Sequence, residues 1–176
     1  MQIEGEINFG DAETFYDLYN SKANTPSKFT HVILKDSKGG SFIDAVNIGL
    51  NIEGQGMTTE VEGICFSACA YIWLGGTALF AHPDDRVWIH APFSVDVNPD
   101  GSTGTERSTG PEADAVNDGT LALASWYLGK LEISSDAIIP MLLNTRDKDH
   151  IFAFNEDSAR AVGININVLS EGKHGR

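Results

Sequence analysis

The chain has 176 residues, 41% of them hydrophobic, and a formal net charge of −13. A domain of this length buries an adequate core without metal or disulfide support, and the absence of a basic stripe excludes a nucleic-acid backbone as the expected partner. No apolar run is long enough to span a bilayer, and no basic segment followed by an apolar one opens the sequence as a secretory leader would, so one domain over 1–176 with no membrane partner is expected.

In chain order, Ile3 to Phe9 alternates, with Ile3, Gly5, Ile7 and Phe9 on one side, and reads as a half-buried strand. Asp11 is placed to cap a helix over Ala12 to Asn20, whose apolar face is Phe15, Leu18 and Tyr19. Thr25 to Ser27 is a loop. His31 to Leu34 is a short apolar strand of the kind buried in a parallel sheet. The glycine-rich turn Ser37-Lys38-Gly39-Gly40-Ser41 follows. Ser41 and Asp44 have the spacing of a capping box for a helix with Phe42, Val46 and Leu50 inward, ended by Gly54 and Gly56. Met57 to Val61 is the next strand. Strand, turn, helix, strand is a βαβ unit and implies a parallel sheet.

Val61 to Gly76, VEGICFSACAYIWLGG, organises the rest. Gly63 leads into small residues around Ser67, and the uncharged run Ala68 to Leu74 predicts a buried helix. Ser67 thus sits where a turn becomes a helix, near free backbone N–H groups. Taken alone it also fits an N-cap or a small packing residue. Cys65 and Cys69 flank it; they are expected as small buried thiols, with a redox role or a local disulfide as the alternative. No further Cys/His cluster accompanies them, so no metal is expected.

Val87 to His90 is another apolar strand, stopped by Pro92. Asp96 to Gly110 is rich in Gly, Ser, Thr, Asp and Pro and reads as a surface loop. Pro111 starts a helix toward Leu131, with Leu121, Ala124, Ser125, Leu128 and Leu131 as its packed face. A second helix over Ser135 to Leu143 is broken or bent by Pro140. Asp147 to Phe154 is a charged turn and a short strand, Asn155 caps a last helix to Val162 with Gly163 at its end, Ile164 to Leu169 closes the sheet, and Ser170 to Arg176 is a polar tail.

Three segments carry the chemistry of acyl transfer together. The diglycine lets backbone N–H groups face a site, Ser67 is a candidate nucleophile, and His90 at a strand end is a candidate general base. The G-x-S-x-G elbow is absent, which argues against an α/β-hydrolase.

The order SKGGS, then GxxxSACA, then RVWIHAP resembles the Clp protease proteolytic subunit, ClpP, and its wider ClpP-like and crotonase-like relatives. Ser37, Gly39, Gly40 and Ser41 match the oxyanion turn; Gly63, Ser67 and Ala70 match the nucleophile segment; Arg86, Val87, Ile89, His90 and Pro92 match the base segment. The likeness covers Ile3 to Leu169, and the Cys65-x-Ser67-Ala68-Cys69 variant is similar to the short, divergent members. It implies an α/β fold of repeated β-β-α units with a mostly parallel central sheet and a helical insertion. It implies a serine-type endopeptidase with Ser67 as nucleophile, His90 as base, and oxyanion donors from Gly40, Gly39 and Ala68. It places the third triad member at Asp149, with Asp147 second, and needs no cofactor or metal. It also implies a peptide or protein substrate, a homo-oligomeric ring, an unfoldase partner, and a cytoplasmic setting in a bacterium or phage-infected host. Lys38 replaces the usual proline of the turn, Phe66 and Tyr71 bring bulk toward the nucleophile, and the segment 96–110 is longer than the family pattern. The alternatives are a non-catalytic ClpP-like assembly module, a crotonase-like enzyme acting on acyl-CoA, and a lysine-base variant through Lys38.

Overall fold

The computed structural model describes residues 1–26, 28–97, 103–145 and 150–170. The chain divides into two compact units, Met1–Ile89 with Ala153–Arg176, and His90–Phe152.

The first unit is built on a parallel sheet. Among the described residues its strands are β1 (Gln2–Ile7), β2 (His31–Gly40), β3 (Thr58–Phe66), β4 (Leu79–Ala81), β5 (Arg86–Ile89), β8 (Phe152–Phe154) and β9 (Ile166–Val168). The path runs β1-β2-β3-β4-β9, and β5 pairs with β3 and β8. Helix α1 (Asp11–Lys22) joins β1 to β2 and α2 (Phe42–Gly54) joins β2 to β3, so the expected βαβ unit forms, with parallel register Val32↔Thr59 and Leu34↔Val61. Met57, Thr59 and Val61 are fully buried, as their alternation predicts.

Strand β3 serves two neighbours. Its first half pairs with β4 at Thr59 and Glu60, and its second half with β5 from Ile64 to Phe66. Gly63, between the two halves, has φ 86, a conformation a side chain would strain. Its N–H donates to Asp85 Oδ1 at 2.7 Å, and His82 N–H donates to Asp85 Oδ2 at 2.6 Å. One carboxylate thus ties the β4–β5 loop to the point where β3 changes partner. Neither β4 nor the role of Asp85 was legible in the sequence: three residues are too few to show a period.

Helix α3 (Ala68–Leu74) has the predicted bounds, and all seven of its residues are buried. A helix that is apolar all round belongs in the interior. Trp73 packs edge-on against Phe154 at 5.4 Å, and Tyr71 against Phe42 at 5.0 Å. Tyr71 therefore turns its bulk into the core.

The structure corrects several details. The diglycine is not a free turn: β2 continues to Gly40, with Glu6↔Gly39 and Ile7↔Gly40 paired to β1 across an irregularity near Asp36. β1 stops at Ile7, and Phe9 is 94% exposed. Ser41 caps α2 as predicted, accepting from the Asp44 N–H. Asp44, however, does not reach back to the Ser41 amide, which donates to Ile7 O. Its carboxylate accepts from Ser41 Oγ at 2.5 Å and from the Gly10 and Ala12 N–H groups at 3.0 and 3.1 Å. It thus supplies the cap of α1 that Asp11 was expected to provide; Asp11 accepts instead from the Asn8 N–H. Asn155 caps α6 (Glu156–Ala161) in a complete capping box, and Gly163 follows with φ 76.

The second unit holds a β-hairpin and a helical part. The segment read as a loop forms an antiparallel pair, β6 (Val95–Val97) with β7 (Thr103–Arg107). Pairing supplied across the hairpin overrides a loop-like composition. Helix α4 (Pro111–Lys130) buries Asn117, Ala124, Tyr127 and Leu128. α5 (Ser135–Ile138) passes into a π-helical segment, Ile139–Leu143, where Pro140 interrupts the regular ladder as its missing N–H requires.

Candidate active site

Ser67 ends β3 and precedes α3. Its backbone has φ 53 and ψ −122, outside the region an L-residue ordinarily occupies. The strain has an identifiable frame. The Ser67 N–H donates to Trp88 O at 2.9 Å, continuing the β3–β5 pairing, while its own carbonyl already accepts from the Ala70 N–H at 3.0 Å. The chain must therefore switch from strand to helix within one residue. Among the described residues the Ser67 side chain makes no capping bond, so the N-cap reading of its hydroxyl does not hold. On β3 and β5, Phe66 stacks on Trp88 at 4.2 Å and flanks the elbow.

Gly39 is brought directly against this elbow. At φ 97, a Cβ on residue 39 would lie 2.7 Å from Phe66 O, 2.7 Å from Ser67 Cβ and 2.9 Å from Ala68 N. Only a residue without a side chain lets β2 run this close to the elbow. Gly40 faces the other way: its Cβ would collide with Ile7 O of β1. Gly5, Glu6, Asp36, Lys38, Gly39 and Gly40 line a recess of about 320 Å³.

Cys65 and Cys69, expected as thiols, form a disulfide that spans Ser67. The two residues stand on the strand and on the first helical turn, and the elbow folds the helix back so that their Cα atoms are 5.2 Å apart. Spacing along the sequence carried no sign of that fold-back.

His90 opens the second unit. Its Nδ1 lies 2.8 Å from Ala91 O. A carbonyl only accepts, so this bond puts the proton on Nδ1 and leaves Nε2 with a lone pair, the tautomer a general base needs. Burial pushes the imidazole below its ordinary pKa, opposed by the hydrogen bond to Ala91. Phe93 lies against the ring, 5.3 Å between centroids. The Ala91 N–H donates to Thr145 Oγ1 at 2.9 Å, and buried Asn117 Oδ1 accepts from the Ser94 N–H at 2.7 Å. These two contacts fix the loop that carries His90, and neither was legible in the sequence because each joins residues more than 20 positions apart.

The structure thus brings Gly39, Ser67 and Ala68 together, sets Gly40 against β1, and leaves His90 half-buried in the other unit. Asp149 and Asp147 lie outside the described residues. Among the described residues there is no group of metal-binding side chains and no helix long and apolar enough to cross a membrane.

No protein-family model and no curated protein matches the sequence. The structure is similar to that of a ClpP1 mutant from Listeria monocytogenes, with 18% identity and a TM-score of 0.65, covering 96% of this chain and 91% of that one. The chain therefore has a ClpP-like fold, mixed α/β with a mostly parallel central sheet.

Proposed function

We propose that the chain is a ClpP-like serine endopeptidase working as one domain. The observation that carries this reading is the elbow. Ser67 is held at a strained strand-to-helix junction with no capping bond from its side chain, and Gly39 is packed so close that any side chain there would crowd Ser67 and Ala68 N. Strain of this kind is retained where the surrounding structure over-determines it, and it clusters at catalytic positions.

In the mechanism, His90 Nε2 takes the Ser67 proton as Oγ attacks a peptide carbonyl. The Ala68 N–H, with the Gly40 N–H and Gly39 second because its N–H already donates to Ser37 Oγ at 3.3 Å, holds the oxyanion. His90 returns the proton to the leaving amine, and water hydrolyses the acyl-enzyme. The carbonyl of Ala91 already holds His90 Nδ1–H, the proton a triad carboxylate would take. Asp149, with Asp147 second, is the proposed third member, and its removal is expected to cost less than removal of His90. An extended substrate lies beside the diglycine segment, where the recess is. A homo-oligomeric ring and an unfoldase partner follow from the same reading; Phe9, Tyr16 and Ile43 are half or more exposed, or nearly so, at 94%, 51% and 48%, and are available for subunit contacts. The cytoplasmic setting rests on family likeness, whereas disulfides persist in oxidising compartments; the redox state of Cys65 and Cys69 in the cell decides between them.

The test is labelling by a fluorophosphonate probe. The wild type is expected to label, and Ser67→Ala and His90→Ala to lose labelling. A folded wild type that fails to label at any protein concentration overturns the peptidase reading and leaves an assembly module or an acyl-CoA enzyme on the same fold.

A further inference from the structure

The disulfide spans the proposed nucleophile. Cys65 belongs to the middle of the sheet, in register with Ser37 of β2 on one side and Val87 of β5 on the other. Cys69 is the second residue of α3, and both cysteines are fully buried. The crosslink therefore closes a small ring containing Phe66, Ser67 and Ala68, anchored on a strand that cannot move without breaking the sheet.

The elbow needs such an anchor. Helices α2, α5 and α6 each begin with a side chain, from Ser41, Ser134 and Asn155, that accepts a hydrogen bond from a first-turn amide. Helix α3 begins with neither a side-chain cap nor an acidic residue in its first turn. A capping bond from residue 67 would occupy the hydroxyl that the reaction uses. A covalent link from strand to helix restrains the same turn and leaves that hydroxyl and the Ala68 N–H untouched.

We propose that the Cys65–Cys69 disulfide is a positioning element for Ser67. It holds the elbow in its strained geometry, so that the oxidised chain is the competent form and the reduced chain a slower nucleophile. This rests on Ser67 being the nucleophile. Forming the bond removes two thiol hydrogens and two electrons from the pair. A dithiol reverses it: one thiolate attacks a cysteine sulfur to give a mixed disulfide, its second thiol releases the other end, and the reagent leaves as its own cyclic disulfide. Because both residues are buried, exchange requires the elbow to open first.

The test compares the full chain oxidised and reduced with dithiothreitol, the thiols counted by alkylation and mass spectrometry. Two quantities are read well below the melting temperature: the second-order rate of fluorophosphonate labelling, with Ser67→Ala as blank, and hydrogen exchange at Ala68, Cys69 and Ala70. Reduction is expected to slow labelling at least tenfold with circular dichroism unchanged, to speed exchange at those amides, and to be reversed on reoxidation. The double variant Cys65→Ala/Cys69→Ala is expected to match the reduced chain; should it fail to fold, the reduced wild type carries the comparison. Equal labelling and exchange in the two states overturn the proposal. So does loss of the dichroism signal on reduction, which makes the bond a global staple. Faster exchange with no labelling in either state sinks the nucleophile reading and upholds the restraint.

Discussion

Gly39→Ala puts the proposed site under the sharpest strain for the smallest change. The new methyl carbon would lie 2.7 Å from Ser67 Cβ and Phe66 O and 2.9 Å from Ala68 N, at a backbone φ of 97. Two of those three contacts are backbone atoms, so a flexible side chain cannot swing aside. The conformation itself costs about 1–3 kcal/mol for a residue with a Cβ, and overpacking a tight contact adds about 1–3 kcal/mol. A destabilisation of roughly 2–6 kcal/mol lowers the melting temperature by about 4–24 °C in a chain of this size. If the elbow yields instead, the Ala68 N–H shifts, and loss of one oxyanion donor lowers reactivity by about 10²–10³. The assay pairs thermal melting with the fluorophosphonate labelling rate. Gly54→Ala is the control: among the described residues nothing lies within 4 Å of its added carbon, so it is expected to be neutral or stabilising by up to about 1 kcal/mol. A Gly39→Ala chain that melts and labels like the wild type would refute the packing of β2 on the elbow.

Burial lowers the folded-state pKa of His90 below the ordinary value, so its stability contribution is present above about pH 6.5 and is lost as pH falls through the folded value. Urea unfolding from pH 7.5 to 5 is expected to show a wild-type decline that His90→Gln lacks, and the midpoint of the fall in labelling rate should lie below pH 6.5; parallel unfolding curves for the two proteins would contradict this. Asp44 accepts from Gly10 N, Ala12 N and Ser41 Oγ while 5% exposed. Asp44→Ala is therefore expected to destabilise by about 2–4 kcal/mol in chemical denaturation, and Asp44→Asn by less; a loss under about 0.5 kcal/mol would show that the shared cap carries no weight. The Cys65–Cys69 crosslink closes only a short loop, so the Cys65→Ala/Cys69→Ala variant is expected to lose about 2 kcal/mol of global stability in urea unfolding. Glu156→Ala breaks an exposed i,i+4 pair with Arg160 and should change stability by less than about 0.5 kcal/mol.

By itself the sequence determined the βαβ order, the bounds of α3, and the caps at Ser41 and Asn155. Each is a local signal: a period, a capping spacing, or an uncharged run. The tertiary structure decided what depends on distant chain. Gly39 and Gly40 lie next to each other, yet one packs on Ser67 and the other on Ile7, because β2 is hydrogen-bonded into the sheet between β1 and β3. Asp44 left its own helix's capping box for the start of α1, since a buried carboxylate goes where unpaired amides are. The hairpin of β6 and β7 gained its order from cross-strand pairing that composition does not encode. Cys65 and Cys69 became a disulfide because the strained elbow at Ser67 turns the helix back over its strand, and a backbone angle at one residue leaves no trace in the letters around it.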